Sequence, residues 1–399
     1  MTLKIKSVIL DNFRGYDRLS LDDLGNLVIV VGPNAVGKTN IVEAIQLLTA
    51  GSSFRKPSWT EVISWGQERG HALIRLEEDK RRIEQRIVLA GNERTYEVNG
   101  KRKSPSSIRG VLPCVLFTPD DLQLIKASST RRRDAIDALA VQLSKNYSSL
   151  KSEYQQALKQ RNLLIKEGIH EGALFESWDE SLAIHGARLC LARWRLFDRL
   201  LSHMTSIYGD IVPGEQLDAR YIPSWDRLDS DGRQRGDVPS LEQEAPQNED
   251  VIPSSSEMTL EEIQDRLIGK SRELASVELR RGVSLIGPHK DEIAFFINGR
   301  NARLFASQGQ QRTIVLVMKL ASVELVNEIV GTEPVLLLDD VMSELDEKHR
   351  DALTAFIEKN AQTFITTTNL DYFSAETINR ATVVRVPIEG TRYDYSCPI

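Results

Sequence analysis

Residues 27–39, LVIVVGPNAVGKT, decide the fold. The apolar, mostly β-branched run Leu27 to Val31 reads as a buried strand. It ends on GPNAVGKT, residues 32–39, which fits the pattern GxxxxGK[ST]. The residues that follow, NIVEAIQLL (40–48), carry the apolar period of a helix. Strand, glycine-rich loop and helix in that order make a phosphate-binding P-loop. Gly32 and Gly37 let backbone N–H groups close on phosphate oxygens, with Pro33, Asn34, Ala35 and Val36 spanning the loop between them. Lys38 brings a cation to the phosphates, and Thr39 offers a hydroxyl to Mg²⁺. A chance glycine turn has no reason to carry both flanking elements, so ATP with Mg²⁺ is the expected ligand.

A second segment supplies the acid groups this chemistry needs. VLLLDD, residues 335–340, is an apolar strand ending in two carboxylates. Asp339 is expected beside Thr39, sharing the Mg²⁺. Asp340, one residue on, is expected to face the other way along the strand, toward the γ-phosphate, where it polarises the attacking water. SQGQQR (307–312) opens a long apolar helix with Ser307 as N-cap. The backbone around Ser307, Gln308, Gly309 and Gln310 then forms a positive helix end, a second grip for a γ-phosphate.

Around these motifs the 399 residues suit roughly two or three domains. Residues 1–119 read as mostly β with the P-loop helix. Between Pro119 and Pro213 there is no proline, and a Leu/Ala/Lys/Glu-rich stretch predicts an all-helical insertion over 120–215. Residues 216–258 read as an acidic, disordered loop: 224–257 alone carries nine acidic and three basic residues. That segment holds the whole net charge of −6, so the rest of the chain is neutral and the charge balance does not exclude nucleic acid. From 259 to 399 the α/β pattern resumes, with Asn298-Gly299 as a hairpin turn like Asn99-Gly100. The expectation is a nucleotide-binding α/β domain cut open by helices. No apolar run exceeds strand length, and the three cysteines form no CxxC, so a cytoplasmic protein without membrane, disulfide or zinc site is expected.

Walker A, large insertion, serine-led helix, Walker B and the SELD turn (343–346) follow the order of ABC-type ATPases of the SMC class, which this chain resembles. NFRGY, TPDDLQLIK, TRRRDAID, GPHKDE, SQGQQR and DDVMSELDEKHRDAL narrow the resemblance to the RecF family of bacterial recombination-repair proteins, over essentially the whole chain. Ala35 stands where that family usually has a third loop glycine. The resemblance implies a two-lobed ABC-type head with a helical arm. It implies a homodimer that sandwiches ATP between the Walker motifs of one copy and the signature helix of the other, with slow hydrolysis as a switch. It further implies binding to gapped or single-stranded DNA, action with RecR and RecO, help in loading RecA, and roles in DNA replication, repair of DNA damage and SOS induction. Two other readings compete. One is an SMC-like structural or DNA-end-processing head, against which the insertion shows no long heptad pattern. The other is a small-molecule kinase, which leaves SQGQQR unexplained.

The basic clusters Lys101-Arg102-Lys103 and Arg131-Arg132-Arg133 are candidates for DNA phosphate contact. The first follows a hairpin turn and is expected in solvent. The second is expected to be partly structural, paired with Asp120, Asp121, Asp134 or Asp137. His289 is expected to be a hydrogen-bonded structural histidine.

Overall fold

The structure, a computed structural model, describes residues 3–79, 81–233, 255, 257–359 and 361–387. Its strands in chain order are β1 (Lys4–Phe13), β2 (Tyr16–Leu21), β3 (Leu27–Val31), β4 (Arg69–Glu78), β5 (Arg81–Ala90), β6 (Glu93–Val98), β7 (Lys101–Lys103), β8 (Cys114–Phe117), β9 (Leu217–Ile222), β10 (Glu292–Ile297), β11 (Arg300–Asn301), β12 (Val335–Asp339), β13 (Thr363–Thr367) and β14 (Thr382–Arg385). The chain divides into two compact units, residues 1–121 with 322–399, and residues 122–321. The second unit therefore takes in 259–321, which the sequence reading assigned to the ATPase head.

The first unit has two sheets. One is antiparallel, ordered β2-β1-β4-β5-β6-β7, and the other is parallel, ordered β14-β3-β13-β12-β8. All five residues of β3, β12 and β13 are buried, as a parallel strand covered on both faces requires. The P-loop helix Lys38–Ala50 contacts strands of both sheets, and its Ile41, Val42, Ala44, Ile45, Leu47 and Leu48 are all buried. Buried Gln362 ties the sheets together. Its amide donates to the carbonyls of Ile5 and Gly25, and its oxygen accepts from the Ile5 N–H at 2.7 Å.

Gln85, on the inner face of β5, is the opposite case: fully buried, with neither amide atom hydrogen-bonded. An unpartnered buried amide costs about 1–3 kcal/mol. Gln85→Leu is therefore expected to raise the urea midpoint by an equivalent of that amount. A loss of stability instead would place a hydrogen-bonding water on the amide.

The second unit carries the helices Ser129–Leu143, Lys145–Lys166 and Ala173–Ile211, within the expected helical stretch. The last has 39 residues and is about 58 Å long. Tyr147, Tyr154, Ala157, Leu182 and Leu189 fill the seam between the two longer helices. The unit also contains a three-stranded sheet, β11-β10-β9.

Strand β9 corrects the sequence reading, which placed 216–258 in a disordered loop. Leu217, Ala219 and Tyr221 alternate inward and pair with β10, and Trp225, in the short helix Ser224–Arg227, is 5% exposed. Burial of these large side chains outweighs the acidic composition around them. Residues 234–254 and 256, about half of the expected loop, lie outside the described residues.

Candidate functional site

The first unit gathers the expected nucleotide residues at the end of β3. Ala35 (φ +64°) and Gly37 (φ +95°) are both left-handed, which turns successive N–H groups into the hollow of an anion-binding nest. Alanine in that region costs about 1–2 kcal/mol, the physical reason for a glycine at this position in the resembled family. Gly32 is required for a different reason: a Cβ there would lie 2.1 Å from the Val386 carbonyl oxygen. Gly37 is the N-cap of the P-loop helix and has no side-chain acceptor, so the first helical N–H groups are left for an anion. Pro33, Asn34 and Ala35 are exposed around the rim, and Val36 is buried.

Lys38 is 6% exposed, and its ammonium donates to the carbonyls of Gly32 and Pro33, at 2.8 Å each. Burial pushes its pKa down, against the pull of Asp340 and Asp339. The Thr39 hydroxyl hydrogen-bonds the Asp339 carboxylate, and Thr366 donates to Asp339 Oδ1 at 2.8 Å. Burial pushes Asp339 up, opposed by those two hydrogen bonds and by the charge of Arg55, and Asp340 adds to the rise. A hydroxyl and a carboxylate oxygen suit a hard cation. Mg²⁺ commonly takes one or two protein oxygens and completes its shell with phosphate and water. Thr39 and Asp339 would hold it.

Asp340 departs from the expected strand geometry. Strand β12 stops at Asp339, and Asp340 takes φ +53°, with its N–H donating to Thr366 Oγ1 at 2.9 Å. Its side chain is aimed by a left-handed turn rather than by strand alternation. Its Oδ1 is buried and has no partner among the described residues, although its charge acts on Lys38. An unpartnered buried carboxylate oxygen beside a P-loop lysine is placed to accept from a water.

Three further residues were not picked out from the sequence. Glu43, fully buried in the P-loop helix, accepts from Arg14 at 2.9 and 2.7 Å and from Ser53 at 2.6 Å. Arg55 bridges the same carboxylate at 3.3 Å and Asn40 at 2.9 Å, which holds a guanidinium beside the metal-binding pair. Thr366 comes from β13. The NFRGY segment gains a physical reason here: Arg14 grips Glu43, and the Tyr16 hydroxyl donates to the Gly37 carbonyl at 3.1 Å.

In the second unit Ser307 caps the helix Gln308–Val330. Its hydroxyl accepts from the Gln310 N–H at 3.2 Å, and the Gln310 side chain accepts from the Ser307 N–H at 2.9 Å. Ser307, Gln308 and Gly309 are exposed, and Gln310 is half-buried with its amide on Glu215 at 3.1 Å.

The basic clusters divide. Lys101, Arg102 and Lys103 form an exposed edge strand after a turn with Asn99 at φ +50° and Gly100 at φ +72°. Arg132 and Arg133 are buried, but not on the expected acids: Arg132 pairs with Glu292 at 2.7 Å, and Arg133 donates to the Asp291 carbonyl. Asp137 instead pairs with Arg193 and Lys151.

A P-loop on a parallel sheet, a carboxylate-ended β12 beside it and a capped helix before that strand define an ABC-type ATPase head of the SMC class. A family model for the RecF/RecN/SMC N-terminal domain matches residues 4–387. The chain is 36% identical to the DNA replication and repair protein RecF of Gloeobacter violaceus, over 96% of both chains, and 35% identical to that of a Cyanothece species at the same coverage. A solved structure described as the recombination mediator protein RecF-ATP in the RecFOR pathway superimposes with TM-score 0.78 at 29% identity, over 94% of both chains. The Smc head from Pyrococcus furiosus gives TM-score 0.50 at 17% identity, covering 96% of this chain and 93% of that one, a likeness of fold alone. The chain belongs to the RecF family. Among the described residues no helix is long and apolar enough to cross a membrane.

Proposed function

We propose that this protein is an ATP-switched DNA-binding protein of recombinational repair and replication restart. The observation that carries the proposal is the assembly of Lys38, Thr39, Asp339 and the unpartnered Asp340 at one phosphate nest. The nest N–H groups and Lys38 bind the phosphates of ATP. Thr39 and Asp339 hold Mg²⁺, whose charge offsets that of the phosphates when it is bound. Asp340 Oδ1 accepts a hydrogen bond from water and orients it in line with the γ-phosphate, which gives slow hydrolysis. Arg55, fixed by Glu43, adds a second cation. The exposed helix start at Ser307, Gln308, Gly309 and Gln310 docks the γ-phosphate held by a second copy, so ATP closes a dimer and hydrolysis opens it.

The names of the relatives support a DNA partner and the RecFOR pathway. The reading therefore extends to gapped or single-stranded DNA, to RecR and RecO, and through them to RecA loading and SOS induction in the cytoplasm.

Sizing the protein with and without ATP and DNA tests the switch. The wild type is expected to dimerise and retain DNA only in ATP. Ser307→Arg places a cation and a long side chain at the docking helix start. It is expected to leave ATP affinity intact and abolish ATP-driven dimerisation. Normal dimerisation of this variant would rule out the sandwich.

A further inference from the structure

Residues 287–292, GPHKDE, lie in the second unit and are not used by the nucleotide chemistry. Gly287 has φ +129°, and a Cβ there would lie 2.3 Å from the Tyr154 hydroxyl. His289 sits between that hydroxyl, at 2.5 Å from Nδ1, and the Ser284 carbonyl, at 3.1 Å from Nε2. Burial pushes its pKa down to about 3, so the ring is neutral, donating to the carbonyl and accepting from the tyrosine. Three guanidinium groups then grip the loop backbone: Arg193 on the Pro288 carbonyl at 2.6 Å, Arg227 on that of Lys290 at 2.6 Å, and Arg133 on that of Asp291. The loop is rigid because its carbonyls are held by buried or half-buried cations.

Its charges point in different directions. Asp291 is fully buried and takes the Tyr221 hydroxyl and the Ser224 N–H. Glu292 is 3% exposed and takes Arg132. Both carboxylates are thus consumed beneath the surface, while Lys290 is exposed. Around Lys290 stand Arg133, Arg227 and Arg281. After burial, these three charges depress its proton affinity. Arg281 donates to the Gly232 carbonyl at 3.3 Å, and Arg227 pairs with Glu292 at 3.9 Å. Nearby Asp226 faces Arg266 at 3.8 Å. An incoming anion relieves this repulsion.

We infer that Lys290, flanked by Arg227 and Arg281, docks the phosphodiester backbone of DNA. The backbone of a polymer fits better than a small anion, because Lys290 and Arg281 stand at an exposed surface and present charge with no acceptor for reading bases. A rigid loop fixes the register of such a contact. The inference rests on the DNA-binding reading above.

The test is Lys290→Gln in the full chain, with Arg281→Gln as a second variant. The Lys290 side chain makes none of the loop's hydrogen bonds, so Tm is expected to match the wild type. One lost phosphate contact flattens the log–log salt dependence by about 0.9 and weakens DNA binding about eight-fold at 0.1 M salt. ATP affinity is expected to be unchanged in both variants. Unchanged DNA affinity and salt slope in both would overturn the inference. So would a wild type that binds inorganic phosphate at this loop while the variants keep full DNA affinity, since the ligand would then be a free anion. Wild-type protein that fails to retain DNA in ATP would instead sink the proposed function itself.

Discussion

Asp340→Asn is expected to slow ATP turnover by about 10²-fold or more while ATP binding persists. The amide cannot take up the proton that the carboxylate draws from water. Asparagine is the right replacement because Asp340 sits at φ +53°, a region that Asn tolerates and β-branched or bulky residues do not. The N–H bond to Thr366 survives, so β12 should still deliver Asp339 to Thr39. ATP-held dimers of the variant should outlast those of the wild type in size-exclusion runs. Single-turnover hydrolysis measures the effect. Unchanged turnover would move the catalytic carboxylate to Asp339 or Glu344.

Arg193→Met is expected to destabilise the second unit by about 3–5 kcal/mol, the usual cost of removing one partner of a buried ion pair. Arg193 is 3% exposed, bonds Asp137 at 2.8 and 3.2 Å, and also holds the Pro288 carbonyl. Lys151 and the Tyr147 hydroxyl stay on Asp137, which favours the lower end of that range. Burial pushes Asp137 up, but the charge and hydrogen bonds of Arg193, with Lys151 and Tyr147, outweigh it and hold the folded pKa below the ordinary value. In the wild type its contribution is therefore present above the unfolded value of about 4 and lost as pH falls through the folded one. In the variant, burial of an under-compensated carboxylate dominates. The stability gap is expected to narrow as pH falls, first above pH about 4 as the variant's Asp137 takes up a proton, then below it as the wild type loses the contribution of the pair. Urea denaturation across pH 3–7 measures this, and a small, pH-independent gap would show that the pair contributes little.

The parts legible in the sequence were those written in local chemistry. GPNAVGKT carries its own turn residues, and Asn99-Gly100 and Asn298-Gly299 carry theirs. Strand β9 was hidden because its alternation, Leu217-Ala219-Tyr221, sits beside an acidic run that dominates any composition window. The turn at Asp340 was not legible because strand periodicity holds only while the strand lasts, and β12 ends one residue earlier, at Asp339. Thr366, Glu43 and Arg55 have no spacing signal, since only the sheet order brings β13 beside β12 and only packing brings Arg55 under the P-loop helix. The same holds for Arg132 and its partner Glu292, which lie 160 residues apart in the chain.

Strand β3, which carries the phosphate loop, lies between β13 and β14. These neighbours are translated about 330 and about 350 residues after it. At ribosomal speeds of about 5–20 residues per second, the nascent P-loop strand waits on the order of 20–70 s for any hydrogen-bonding partner in its sheet. The second unit, contiguous over 122–321, emerges within that interval. Throughout it the apolar segment LVIVV is an unpaired edge, open to chaperones and to the same segment of a neighbouring nascent chain.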